Sequence, residues 1–324
     1  MNKPHIYIHR LGSWYPAYMN AENEARLREF AVVTSAGNRE EPMSQEELIQ
    51  NLKEVDGILS LNGTGVMEIT TEVLRSVGTV KVIVISHWWH GFHDKARIAW
   101  QAAGVDVIDS SDANNEAVAE WTVGVIIMGV RRLAEFDRAL KSGVLWADLK
   151  LSAGLLCESR IGIVGLGRVG RTVARFLQPF GATLIGYDIN VSESDAKSFG
   201  VNLVSLEELL RNADIISFHL PSTDETEAII GARELSWIKD GAIIINSARA
   251  TILDNNAFLE ELKKKRFRAF LDVFPIEPLP LDHPLRSLDN VFLTPHIAGN
   301  VEAMFVRCAR IGIERLKCYF GSFI

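Results

Sequence analysis

The chain has 324 residues, of which 48% are hydrophobic and 23% charged, with a formal charge of −7. That length is enough for about two packed domains, and the acidic balance leaves no electrostatic footprint for nucleic acid or an anionic membrane. Cys157, Cys308 and Cys318 lack metal-ligand spacing and suit a reducing compartment. The N-terminus opens on a strand-like run rather than a basic-then-apolar leader, and apolar runs such as 123–130 are too short to span a bilayer, so a cytoplasmic location is expected.

Short runs rich in Val and Ile alternate with longer helical patterns, the mark of an α/β protein with parallel sheets. Strands are expected at 5–8, 31–34, 57–60, 80–85 and 105–108. A long helical stretch, 115–141, follows; its apolar residues nearly circle the helix, which predicts burial between domains or subunits. The alternation then restarts with six strands at 160–164, 183–187, 215–219, 242–246, 269–271 and 291–293, enough for a doubly wound sheet. A last helix, 301–319, has no sheet of its own and is expected to return to the first domain. The reading is therefore two Rossmann-like or flavodoxin-like domains with doubly wound parallel sheets. Residues 1–118 with 299–324 would form a discontinuous substrate domain, and 119–298 an inserted nucleotide domain.

The strand at 160–164 runs into Gly165-Leu166-Gly167-Arg168-Val169-Gly170, the dinucleotide fingerprint in its strand–turn–helix setting. Gly165 makes the tight turn, Gly167 lets a pyrophosphate approach the backbone, and Gly170 lets helix and strand pack closely. The helix N-terminus offers unpaired N–H groups to phosphate. The next strand ends on Asp188, placed to accept hydrogen bonds from ribose hydroxyls. A 2′-phosphate would be repelled there, and 189–193 holds no cation to offset it, so NAD is favoured over NADP.

Three later segments follow strands, at the carboxyl ends where open α/β sheets bind ligands. They are Asn246-Ser247-Ala248-Arg249, Asp272-Val273-Phe274-Pro275-Ile276-Glu277-Pro278, and Thr294-Pro295-His296-Ile297-Ala298-Gly299. Together they supply a permanent cation, a carboxylate and an imidazole. A guanidinium holds and polarises an α-keto acid, an imidazole passes a proton near neutral pH, and a neighbouring carboxylate orients it.

These motifs, with His219-Leu220-Pro221 and Thr226, resemble the signature regions of the D-isomer-specific 2-hydroxyacid dehydrogenases, over about 117–299. The resemblance implies Arg249 as the substrate-binding and carbonyl-polarising residue, His296 as the acid/base and Glu277 as its partner. It places Asp272 near the nicotinamide carboxamide, with His219, Leu220, Pro221, Thr226, Ser247, Ala248 and Gly299 around the cofactor crevice. It also implies a homodimer built on the nucleotide domain, a 2-hydroxy or 2-keto acid as the small-molecule partner, and activity like that of glyoxylate or hydroxypyruvate reductases. Because the family also includes transcriptional corepressors, a non-catalytic NAD-sensing regulator is the rival reading.

The sequence departs from the family most in 86–94. Members usually carry a Gly-x-Gly-x-Asp loop there; here Trp89 replaces the first glycine, Gly91 keeps the second and His93 replaces the Asp. Trp88, Trp89, His90 and Gly91, with Asn62 and Gly63, are therefore the expected substrate-pocket residues. The spacing of His87, His90 and His93 invites a metal, but Gly91 argues against a regular helix and hydride transfer needs no metal, so none is expected. Ala250 stands where glycine is usual after the arginine.

Overall fold

The structure, a computed structural model, describes residues 3–86, 92–145 and 152–321. The chain divides into two compact units: Met1–Asn114 with Val301–Ile324, and Asn115–Asn300. In the first unit, β1 (His5–Ile8), β2 (Val32–Ser35), β3 (Gly57–Ser60), β4 (Val82–Ile85) and β5 (Asp106–Asp109) form one parallel sheet in the order β2-β1-β3-β4-β5. The segments β3 and β4 are buried along their whole length, which is why they read as unbroken apolar runs rather than alternating ones. One face is covered by Leu48, Leu52, Val73, Leu74 and Trp100. The other is covered by Leu27 and by the helix Glu302–Gly321, whose Met304, Cys308, Ala309, Ile313 and Leu316 recur at helical spacing. In that helix Gly312 permits close packing, since a Cβ there would lie 3.0 Å from the Leu59 side chain.

The second unit holds seven parallel strands rather than six: β6 (Arg160–Val164), β7 (Thr183–Tyr187), β8 (Asn202–Leu203), β9 (Ile215–Phe218), β10 (Ile243–Asn246), β11 (Arg268–Leu271) and β12 (Val291–Leu293). Their order is β12-β11-β10-β9-β6-β7-β8. The extra strand β8 is an edge segment of two residues that pairs only with Ile185 and Gly186. Too short to show a period, it is created by its neighbour. Helices cover both faces, with Ile126, Val173 and Leu177 on one side and Leu209, Leu235, Phe258 and Leu262 on the other.

The expected single helix over 115–141 is two. Asn115–Val130 ends at a turn in which Arg132 takes a left-handed φ of 52°, and Leu133–Lys141 follows. The first is apolar nearly all round and buries Ala119, Thr122, Val125, Ile126, Gly129 and Val130. At Gly129 a Cβ would come within 2.8 Å of the Phe270 ring, so helix and sheet are in close contact. The second is amphipathic and buries no residue within the chain. A pattern summed over both conceals the difference. Among the described residues, no helix is long and apolar enough to cross a membrane.

Candidate active site

In the second unit the strand order reverses between β6 and β9, the point at which open α/β sheets leave a crevice beyond their carboxyl ends. Gly165 turns there with φ 96°, and a Cβ on it would stand 2.8 Å from the His219 carbonyl carbon. Gly170 is tighter still, because its Cβ would lie 2.0 Å from the Gly165 oxygen. By contrast, a Cβ on Gly167 would meet nothing within 4 Å. Gly167 is the N-cap of the helix Arg168–Leu177, which Arg168 and Val169 open. The open space at Gly167 suits a pyrophosphate, which the unpaired N–H groups of the helix end would receive. Asp188 closes the turn: its carboxylate accepts hydrogen bonds from Leu166 N–H at 2.7 Å and Asn190 N–H at 2.8 Å. Lone pairs remain on both oxygens for ribose hydroxyls.

The crevice's second wall follows β9. His219 Nε2 and Ser217 Oγ are 2.9 Å apart, and burial pulls the His219 pKa down to about 4, so the ring is neutral near pH 7. Leu220 and Pro221 continue the chain, and Thr226 Oγ1 donates to the Pro221 carbonyl at 2.6 Å, pinning the turn. Ser247 is buried, its Oγ 3.3 Å from Thr122 Oγ1 in the helix Asn115–Val130.

Beyond β10, β11 and β12 the candidate catalytic residues appear. His296 Nδ1 lies 2.7 Å from Glu277 Oε2, and Glu277 Oε1 accepts from Phe274 N–H at 2.9 Å. The pair is half exposed, at 47% and 36%. Arg249 is partly buried; burial pulls its pKa down, and the Glu277 charge acts in the opposite direction. Its guanidinium donates to the Ala248 carbonyl at 2.6 Å. Among the described residues no carboxylate pairs with it directly, which leaves most of its five N–H donors for a ligand.

Two buried polar residues hold these loops. Asp272, fully buried, accepts from Thr294 Oγ1 at 2.5 Å, Ile297 N–H at 2.9 Å and Ala298 N–H at 2.8 Å. It thereby clamps the turn in which His296 adopts a left-handed φ of 54°, a conformation an L-residue keeps only when its surroundings enforce it. Gly299 lies in the next turn, which Asn300 N–H closes on the Ile297 carbonyl at 2.9 Å. Asn246, 1% exposed, receives Ala248 N–H on Oδ1 and donates Nδ2 to the Arg249 carbonyl. Neither Asn246 nor Thr294 is among the site residues expected from sequence, and Asp272, expected near the nicotinamide carboxamide, supports the His296 turn through both carboxylate oxygens. The available signal is a polar residue closing or directly following an apolar strand, as in Ile245-Asn246 and Leu271-Asp272.

Over residues 123–298 the chain matches the D-isomer specific 2-hydroxyacid dehydrogenase NAD binding domain. The chain belongs to that family. A glyoxylate reductase of Thermofilum pendens is 33% identical over 322 residues, covering 98% of this chain and 91% of the relative. A D-3-phosphoglycerate dehydrogenase of Methanocaldococcus jannaschii is 34% identical over 277 residues, 85% of this chain but 52% of the relative. The chain thus spans about half the length of the phosphoglycerate dehydrogenases it matches. Among solved structures, the D-lactate dehydrogenase of Aquifex aeolicus complexed with NAD and lactic acid aligns with a TM-score of 0.74 at 25% identity, covering 98% of this chain and 96% of that one. The D-mandelate dehydrogenase of Rhodotorula graminis reaches 0.82 at 24% identity, covering 97% and 94%, a likeness of fold alone.

Of the pocket residues expected in the first unit, Asn62 and Gly63 lie within the described residues. Asn62 donates Nδ2 to the Leu11 carbonyl at 3.2 Å and accepts Thr64 N–H at 3.0 Å, while Gly63 turns with φ 80°. Trp88, Trp89, His90 and Gly91 lie outside the described residues, as do His87 and the His93 side chain. Among the described residues, no group of three or more His, Cys, Asp or Glu side chains is arranged to hold a metal.

Proposed function

We propose that this protein is an NAD-dependent oxidoreductase that interconverts a 2-hydroxy acid and its 2-keto acid, in the manner of glyoxylate and hydroxypyruvate reductases. The observation that carries the reading is the 2.7 Å His296–Glu277 pair, with the Arg249 guanidinium on the neighbouring loop and open to a ligand. When bound, the nicotinamide supplies or accepts the hydride. Arg249 holds the substrate carboxylate and polarises the carbonyl through paired N–H donors, which a point charge such as lysine would match less well. With His296 Nδ1–H donated to Glu277, Nε2 is the atom left to carry the mobile proton. It gives that proton to the keto oxygen in reduction and takes it back in oxidation. His219 is unsuited to that role, since a group with a pKa of about 4 holds almost no proton near neutral pH.

The same reading gives the dinucleotide site Gly165, Gly167, Arg168, Val169, Gly170 and Asp188, favouring NAD. It makes residues 1–118 with 299–324 the substrate-binding part, with Asn62, Gly63, Trp88, Trp89, His90 and Gly91 shaping side-chain preference. A cytoplasmic homodimer completes it. The test is NADH oxidation with glyoxylate, hydroxypyruvate, pyruvate, phenylpyruvate and branched 2-keto acids, by wild type, Arg249→Ala and His296→Ala. His296→Ala is expected to lower kcat by about 10²-fold or more, and Arg249→Ala to remove both binding and turnover. Near wild-type turnover by His296→Ala on the best substrate would refute the mechanism, and no turnover of any keto acid by wild type would favour an NAD-sensing regulator.

A further inference from the structure

The turn that carries Arg249 is stapled at its two ends. Upstream it leaves β10. Downstream, Ile252 and Thr251 give their carbonyls to Ile230 and Ala228 N–H at 3.1 and 2.8 Å, and Asp254 N–H returns to the Ile230 carbonyl at 3.0 Å. Between these staples, Ser247 and Ala250 are buried and Ala248 packs against the core. On its other side the turn meets a cavity of about 350 Å³ at Ala250, lined also by Asn246, Leu253, Phe258, Leu271 and Val273. Packing therefore holds this turn on one side only, so hydrogen bonds must hold it on the other. Two side-chain amides supply them. Asn255 Nδ2 reaches the Ala250 carbonyl at 3.1 Å, and Asn246 takes the Arg249 residue itself, with Nδ2 to the Arg249 carbonyl at 2.9 Å and Oδ1 from Ala248 N–H at 3.0 Å.

We infer that Asn246 is a positioning residue that sets the reach of the Arg249 guanidinium, an inference that rests on reading Arg249 as the substrate clamp. Its backbone is fixed by the sheet: the Asn246 carbonyl accepts Asp272 N–H at 3.0 Å, and Asn246 pairs in register with Leu271 and Phe218. A buried amide anchored to the sheet thus holds Arg249 at an extended φ of −147° and ψ of 142°. Through Asp272, the same anchor adjoins the clamp of the His296 turn. The substrate clamp and the proton carrier are in this way referenced to neighbouring points on two adjacent strands, not to flexible loops.

The two hydrogen bonds of Asn246 are separable. Asn246→Ala removes both, whereas Asn246→Asp keeps the acceptor for Ala248 N–H and loses the donor to the Arg249 carbonyl. Hydrogen exchange of the Ala248 amide reads the first bond directly. It is expected to speed up about tenfold or more in Asn246→Ala and to stay slow in Asn246→Asp. Both variants are expected to raise the KM for the best keto acid about tenfold or more, since small misplacements of a clamp are costly. The Kd for NADH is expected to stay within about twofold of wild type, a split that general loss of structure would not produce. Arg249→Ala, assayed in parallel, separates the inference from the reading beneath it. If Arg249→Ala keeps its keto-acid KM, the reading of Arg249 fails, and with it the inferred role of Asn246. If Arg249→Ala loses binding while folded Asn246→Ala keeps wild-type exchange or wild-type KM, the inference alone fails. If Asn246→Ala does not fold, Asn246→Asp decides: an unchanged KM overturns the inference and a raised KM with unchanged NADH affinity supports it.

Discussion

Adding one methyl group at two nearby glycines of the same fingerprint is expected to have different consequences. At Gly170 the new Cβ would stand 2.0 Å from the Gly165 carbonyl oxygen, where real Cβ atoms essentially never come closer than 3.0 Å. The helix Arg168–Leu177 would have to withdraw by about 1 Å, and its Val173, Ala174 and Leu177 are fully buried in the core beneath. Overpacking of this kind costs about 3 kcal/mol or more. Alanine's better helix propensity returns no more than about 1 kcal/mol. A net loss of about 2 kcal/mol corresponds to a fall of roughly 4–8 °C in Tm. At Gly167 the Cβ meets nothing within 4 Å, and the backbone φ of −71° suits any L-residue. Gly167→Ala is therefore expected to keep stability within about 0.5 kcal/mol, while NADH binding weakens about tenfold or more because the methyl occupies the pyrophosphate approach. The assays are urea denaturation and fluorescence titration with NADH on both variants. If Gly167→Ala binds NADH like wild type, the open space at this helix end is not the cofactor cradle. If Gly170→Ala is as stable as wild type, the reasoning from close approach fails.

Three further outcomes follow from the geometry. NADH is expected to serve at least about tenfold better than NADPH, one misplaced charge being worth about 1.4 kcal/mol, and Asp188→Ala should narrow the gap; equal use of both by the unmodified protein would contradict it. His219 is neutral in the fold, with a pKa of about 4 against an ordinary 6.5. On acidification the unfolded chain takes up a proton that the native state refuses, so stability is retained above pH 6.5 and lost as pH falls towards 4. The loss between pH 7.5 and 5 is about 2 kcal/mol; urea midpoints at the two pH values should show it in the cofactor-free protein, and His219→Gln should flatten the dependence. Finally, Leu133, Leu140 and Leu145 are exposed at 52%, 54% and 69% on and just beyond an amphipathic helix, and covering them is the work expected of a second copy. Light scattering at micromolar concentration should give a dimer, and Leu133→Asp with Leu140→Asp a monomer.

Much of this was legible in the sequence because it is written locally. Unbroken Val and Ile runs mark strands covered on both faces, and the glycine spacing of 165–170 states its own requirement, since only glycine tolerates a φ of 96° or a carbonyl oxygen 2.0 Å from its Cβ position. Arg249, Glu277 and His296 could be named because each follows a strand, and parallel strands deliver their carboxyl ends to one edge. What the sequence could not carry depended on neighbours far along the chain. The strand β8 exists through its pairing with β7, and the break at Arg131-Arg132 lies between two helices whose apolar patterns run together. The supports of the site were hidden for the same reason. An asparagine or aspartate at the end of a strand is locally indistinguishable from a solvent-facing turn residue. Only tertiary structure buries Asn246 and Asp272 and directs their hydrogen bonds to the turns of Arg249 and His296, because burial and partner choice are properties of the packed sheet and not of the segment.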